Sequence, residues 1–261
     1  MDQTLARPAR SRRMLWPFVP PLLVVLLAVG LWTWQNSGSA IDRGRRQLEA
    51  GQYEQAIRSF TTAIANDSSD AAAYAERGLA YAGLKDYRRA ADDYTKALEL
   101  GGEPSKEPIL YNNRGLAYFS TDQDDLALAD YNQALALDAD YAIAYLNRAL
   151  VHHRHERYDQ ALVDYNRAIE LDPQLAQAYV GRGQVNAASG NIDQALEDFG
   201  TAIKKAPKQS VAYHERANIY LARGDAAKAA ADLRAAVANA RPDEDYLKFR
   251  AETQLQTLEG Q

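Results

Sequence analysis

The sequence predicts an all-α chain: a solenoid of about six stacked helix pairs, closed by a C-terminal capping helix and preceded by one N-terminal transmembrane helix. Three observations carry this. Tyr74, Tyr111, Tyr145, Tyr179 and Tyr213 open five copies of one pattern: YAERGLAY, YNNRGLAY, YLNRALVH, YVGRGQVN and YHERANIY. Three of the four Tyr-to-Tyr steps are 34 residues, a period that means stacked supersecondary units rather than one globular core. Residues 14–34, MLWPFVPPLLVVLLAVGLWTW, carry no charge at all.

The chain opens on a basic tail, 1–13, with Arg7, Arg10, Arg12 and Arg13. The apolar segment that follows would span about 31 Å as a helix, close to a bilayer core. Trp16 at one end and Trp32 and Trp34 at the other fit interfacial anchors. The Arg cluster argues for a cytoplasmic N-terminus with the repeats on the extracytoplasmic (periplasmic) side, although Arg43, Arg45 and Arg46 lie close beyond the segment. A removed signal peptide stays open as the alternative. Pro17, Pro20 and Pro21 interrupt the first part, Leu22–Trp34 has the length of a signal core, and Gly38, Ser39 and Ala40 offer a cleavage site. The repeats would then be exported and soluble. Residues 35–40 read as a short linker.

Each repeat reads as two helices. Tyr74, Gly78 and Tyr81 lie at i, i+4 and i+7, one helical face. Sixteen residues after each opening Tyr comes Ala90, Ala127, Ala161, Ala195 or Ala229. An aromatic or Leu follows four later, and another Ala three after that, on a second helix. Gly83–Asp86, Gly190-Asn191 and Gly224-Asp225 supply turns between the two. Small residues at Gly78, Gly115, Ala149, Gly183 and Ala217 let the paired helices approach closely. A weaker first copy has Ala40 where Tyr is expected but keeps Gly51, Tyr53, Ala56, Phe60 and Ala63.

These residues and their period resemble the tetratricopeptide repeat (TPR) family, with Tyr in place of the usual Trp and a closing Pro only at Pro173, Pro207 and, one residue late, Pro242. The resemblance implies a right-handed solenoid. Repeats are expected at 37–70, 71–104, 108–141, 142–175, 176–209 and 210–243. The step from the second to the third carries three extra residues, placing an exposed loop at 101–108. Residues 244–261 read as an amphipathic helix covering the open end of the stack.

Composition narrows the function. There is no cysteine, so no disulfide or thiolate metal site. Net charge is −5 overall, and the first 34 residues alone hold four Arg against one Asp. The repeats are therefore acidic, a poor match for nucleic acid. No nucleophile–base pairing or phosphate loop stands out, so no enzyme and no cofactor are expected. Arg77, Arg114, Arg148, Arg182 and Arg216 recur three residues after each Tyr, and Asp93, Asp130, Asp164, Asp198 and Asp232 recur on the second helices. One of each per repeat favours structural ion pairs over a ladder for anionic partners. His152, His153 and His155 beside Glu156 form the one His cluster and lack the spacing of a metalloprotease helix. His152 takes the place of Tyr81 and is expected to pack, His155 falls in a turn, and no metal is expected. His214 is expected to be exposed or groove-facing.

In the family that this chain resembles, the first helix of each pair lines a concave groove that commonly holds a peptide. Transferring those offsets marks Ile109, Asn112, Asn113, Leu116 and Phe119 in the third copy. The fourth contributes Ile143, Leu146, Asn147, Leu150 and His153, the fifth Gln177, Val180 and Gln184, and the sixth His214 and Asn218. The Asn amides would bond the backbone of an extended peptide. One subgroup of the family holds the C-terminal carboxylate of heat-shock chaperones with groove Lys and Asn. Here Asn113 and Asn147 are present but no Lys stands at these offsets. The expected function is a membrane-tethered scaffold binding a protein or peptide in cell-envelope assembly, secretion or complex organisation, with self-association through the groove or the open end as an alternative and a metal-dependent protein using the His152–Glu156 cluster as a less favoured one.

Overall fold

The turns between paired helices share one device. The second residue before each second helix takes a left-handed backbone: Gly51, Lys85, Asp122, Glu156, Gly190 and Gly224, with φ between 55° and 81°. Three of these six are not glycine, although the conformation strains an L side chain. The structure, a computed structural model, describes residues 40–101, 103–242 and 244–260. Segments 1–13 and 14–34 and nearly all of the linker lie outside the described residues. Ala40, assigned to the linker and to the first repeat alike, is already helical and 1% exposed.

Helices alternate along the chain: α1 (40–49), α2 (Tyr53–Asn66), α3 (Ala71–Gly83), α4 (Tyr87–Leu100), α5 (Glu107–Phe119), α6 (Asp124–Leu137) and α7 (Ala142–Arg154). They continue as α8 (Tyr158–Leu171), α9 (Ala176–Ala188), α10 (Ile192–Lys205), α11 (Ser210–Ala222), α12 (Ala226–Asn239) and α13 (Asp245–Glu259). Odd-numbered helices are the first of each pair and even-numbered ones the second, with α13 left single. No strand occurs among the described residues. Asp70, Asp86 and Asp225 start α3, α4 and α12 by accepting a hydrogen bond from the backbone N–H three residues on.

The in-phase small residues explain the pairing. Phe60, Tyr94, Tyr131, Tyr165, Phe199 and Leu233 are buried from water on the second helices. Each lies against the Gly or Ala of its first helix. A Cβ at Gly78 would stand 2.8 Å from the Tyr94 ring, and one at Gly115 2.8 Å from Tyr131. Burying each ring contributes roughly 1.5–3 kcal/mol, repeated down the stack, so stability is a sum of neighbour contacts.

The first helices α5, α7, α9, α11 and α13 touch in succession, whereas the second helices are held apart across them. The first helices therefore line the inner side of the curve. α3 and α5 are the exception and do not come comparably close. The three extra residues separate them, and a short 3-10 turn, Pro104–Lys106, occupies the gap. α13 packs on α12 and α11 through Leu247, Ala251, Leu255 and Leu258. Among the described residues no helix is long and apolar enough to cross a membrane.

Candidate peptide-binding groove

The gap between α3 and α5 opens a cavity of about 210 Å³ on the inner side. Its apolar wall comes from Ala72, Ala75 and Leu79 of α3 and from Ile109 and Leu110 of α5, with Tyr94 at the back. Arg45, Glu76, Glu103, Lys106 and Asn113 form its polar rim. Arg45 Nε donates to Glu76 Oε1 at 3.0 Å, tying the first repeat to the second at one edge. Ala72, Ala75, Glu76 and Leu79 occupy the groove offsets of the second copy, which the sequence reading began only at the third. The signal was available in the register, but the short Ala side chains carried no chemistry to draw attention to it.

Leu79, Ile109 and Leu116 are 40%, 45% and 40% exposed on this face. Ile143 and Leu150 of α7 continue the line half-buried. Large apolar side chains left this open in a row form a continuous apolar strip rather than scattered exposure.

Several expected ligand-binding residues are instead structural. Asn112 is 2% exposed, and its Oδ1 accepts from Asn147 Nδ2 at 2.9 Å. Both amides join α5 to α7 and face no ligand, while Asn113 stays half-exposed and receives a long 3.4 Å contact from Asn112. Leu146 is 5% exposed and Val180 6%, each inside a core cluster between neighbouring repeats. Curvature turns that helical offset inward, so a position facing the groove in a straight stack meets the adjacent first helix. Phe119 lies beneath the Arg154 guanidinium, 3.6 Å from the ring centre. Gln184 donates to Glu215 at 3.2 Å, Gln177 is exposed, and His153 is half-buried beside Tyr158.

The groove ends at the sixth repeat. His214 is 3% exposed rather than groove-facing, and Asn218 Oδ1 accepts from Gln254 Nε2 of α13 at 2.9 Å. α13 fills the place where a ligand would lie. Burial pushes the His214 pKa down, against the opposing pull of Glu215.

The Arg–Asp ladder is made of ion pairs within each repeat. Nε and Nη2 of Arg148 donate to Asp164 at 2.8 and 2.7 Å, and the other four copies repeat the fork. Nη1 reaches the preceding repeat, at Thr61, Thr95, Asn132 and Asn166. This second contact was not legible, because Thr and Asn at that place share no side-chain type. The His cluster does not converge. His155 Nε2 lies 2.8 Å from Asp124 of the preceding pair, His152 Nε2 lies 3.9 Å from Asp164, and burial lowers the pKa of His152 and His153. No group of three metal-ligating side chains occurs among the described residues.

Comparison with known proteins places this architecture. One tetratricopeptide repeat family model matches residues 41–104 and 175–244, a second matches 142–175, and a TPR repeat model matches 115–156. The chain belongs to the tetratricopeptide repeat family. Among solved TPR structures, MamA is 24% identical over 67% of this chain and 94% of its own, with a TM-score of 0.57. A tetratricopeptide repeat protein from Parabacteroides merdae ATCC 43184 is 22% identical over 87% and 93%, with a TM-score of 0.65. Both show the shared TPR fold. YrrB, described as a TPR protein with an unusual peptide-binding site, is 27% identical over 68% and 90%, with a TM-score of 0.54. TPR proteins bind protein or peptide partners and are generally non-enzymatic scaffolds, and each family model matching this chain describes a repeat.

Proposed function

We propose that the chain is a membrane-tethered scaffold that holds an extended segment of a partner protein across repeats two to four. The observation that carries this is the apolar cavity between α3 and α5, continuous with exposed Leu79, Ile109 and Leu116. A partner's apolar side chain fills the cavity, and the Asn113 amide and the rim charges bond its backbone and flanks. The peptide-binding site of YrrB supports this reading. The uncharged segment 14–34 is the tether, and the Arg cluster before it puts the repeats on the extracytoplasmic side. Such a scaffold would serve cell-envelope assembly, secretion or the organisation of a membrane complex.

The test is photo-crosslinking in intact membranes, with a photoreactive residue at Leu116 or Leu79 and a control at Arg88, exposed on α4. A discrete adduct at both groove sites and none at Arg88 is expected. Equal labelling at all three sites would remove the groove as the working surface. Extraction of the same membranes with alkaline carbonate tests the tether: a chain released into the supernatant is not anchored.

A further inference from the structure

The outer side of the solenoid, between successive second helices, carries a row of equivalent wells floored by the Arg–Asp forks. In repeat four the well is about 390 Å³, lined by Asn132, Arg148, His152 and Gln160. In repeat five it is about 360 Å³, lined by Asn166, Arg182, Asn186 and Gln194, each residue 34 positions on from its counterpart. The first repeat has an opening of about 340 Å³ at the matching place, beside Arg43, Gln47 and Gln55, where Ser59 stands in place of the Asp and no earlier second helix forms the far wall among the described residues.

Repeats two, three and six close this space with their own tyrosine. Where the open wells have Gln47, His152 and Asn186, the closed ones have Tyr81, Tyr118 and Tyr220. The consequence is visible at the guanidinium. Arg77 lies between two rings, 5.5 Å from Tyr74 and 5.9 Å from Tyr81. Arg114 sits 5.4 Å from Tyr111 and 5.9 Å from Tyr118, and Arg216 is 6.0 Å from both Tyr213 and Tyr220. Arg148 has only Tyr145, at 5.5 Å, and Arg182 only Tyr179, at 5.5 Å. A second position changes in step. Gln55, Gln160 and Gln194 edge the open wells, whereas Arg89, Leu126 and Lys228 stand there in the closed repeats, where Arg89 and Lys228 cover the tyrosine at 4.6 and 5.3 Å.

We propose that the wells of repeats four and five form a second binding site, which takes two tyrosine side chains of a partner protein, one per well. Each incoming ring occupies the vacant face of the guanidinium, as the chain's own tyrosines do elsewhere. The well-edge amides, Gln160 and Gln194, exchange hydrogen bonds with the phenol oxygen. His152 Nδ1 is buried without a partner in the first of these wells. The direct packing of successive first helices sets the repeat step, and with it the well spacing, at on the order of 10 Å or slightly more on the outer side. Two tyrosines three residues apart in a segment of polyproline II conformation lie on one face and span a similar length, about 9 Å.

The experiment is calorimetric titration of the full-length, detergent-solubilised protein with the peptide acetyl-Gly-Tyr-Ser-Ser-Tyr-Gly-amide, against the same peptide with Leu for both tyrosines. The tyrosine peptide is expected to bind at least tenfold more tightly. A His152→Tyr, Asn186→Tyr variant, which rebuilds the closed arrangement, is expected to lose that binding at least tenfold and to melt no lower than the parent. Tyr81→Asn works in the opposite sense and opens a well in repeat two, beside the opening of repeat one, so it should raise the binding stoichiometry. Equal affinity for the two peptides, no saturable heat, or binding unchanged by filling the wells would each overturn the proposal and leave the wells as hydrated gaps.

Discussion

Asp164 accepts two hydrogen bonds from Arg148, at 2.8 and 2.7 Å, with only 4% of its side chain exposed. The same guanidinium reaches Asn132 of the preceding repeat at 2.7 Å, so one residue sets both the pairing within a repeat and the step to its neighbour. Removing the carboxylate in Asp164→Ala strands a partly buried cation. A loss of about 3 kcal/mol is expected, read as a lower denaturant midpoint. An Asp164→Asn protein as stable as the parent would show that the charge contributes little there.

Glu156 and Lys85 hold left-handed backbones, φ 55° and 61°, at the place where three repeats have glycine. Both are exposed. Glu156→Gly and Lys85→Gly should each raise stability by about 0.5–1 kcal/mol, because relief of the steric strain outweighs the added chain entropy. A lower melting temperature in either variant would mean that the side chain supplies an interaction worth more than the strain.

The Tyr131 hydroxyl is buried without a hydrogen-bond partner, while Phe60 and Phe199 fill the corresponding place in other repeats. Tyr131→Phe removes an unsatisfied polar group and leaves the packing intact. It should stabilise by about 1 kcal/mol. Destabilisation would reveal a partner for the hydroxyl.

Asn112 and Asn147 bond each other between α5 and α7, out of reach of a groove ligand. Asn112→Ala leaves the Asn147 amide unsatisfied and should cost about 1–3 kcal/mol. Crosslinking at Leu116 should persist at temperatures where the variant stays folded. Loss of the adduct without loss of stability would restore Asn112 as a ligand contact.

His214 is closed over by α13, with Glu215 beside it and Arg250 of α13 nearby, and burial lowers its pKa. The unfolded chain therefore binds the proton more readily than the folded one. Stability is complete above the unfolded value of about 6.5 and falls as pH drops through it toward the lower folded value. The melting temperature should fall between about pH 7 and pH 5, and His214→Gln should flatten that slope. An unchanged slope would assign the acid sensitivity to other groups, such as His152 and His153, whose pKa values burial also lowers.

The sequence alone determined the helix pairs, their register and the capping helix. Each depends on residues that recur at fixed spacing: Tyr over Gly, Ala in the second helix, Arg sixteen residues before Asp. Such contacts lie within one repeat or between neighbours, so a local pattern encodes them. The site was only partly legible. Leu116 and Ile109 are open as their offsets implied, but Leu146, Val180 and Asn112 occupy related offsets and are buried. What separates them is the curvature that brings α5, α7 and α9 together and the three-residue insertion that keeps α3 and α5 apart. Curvature accumulates over the whole stack from small rotations at every interface. No single repeat contains it, so only the tertiary structure decided which face of each helix meets solvent.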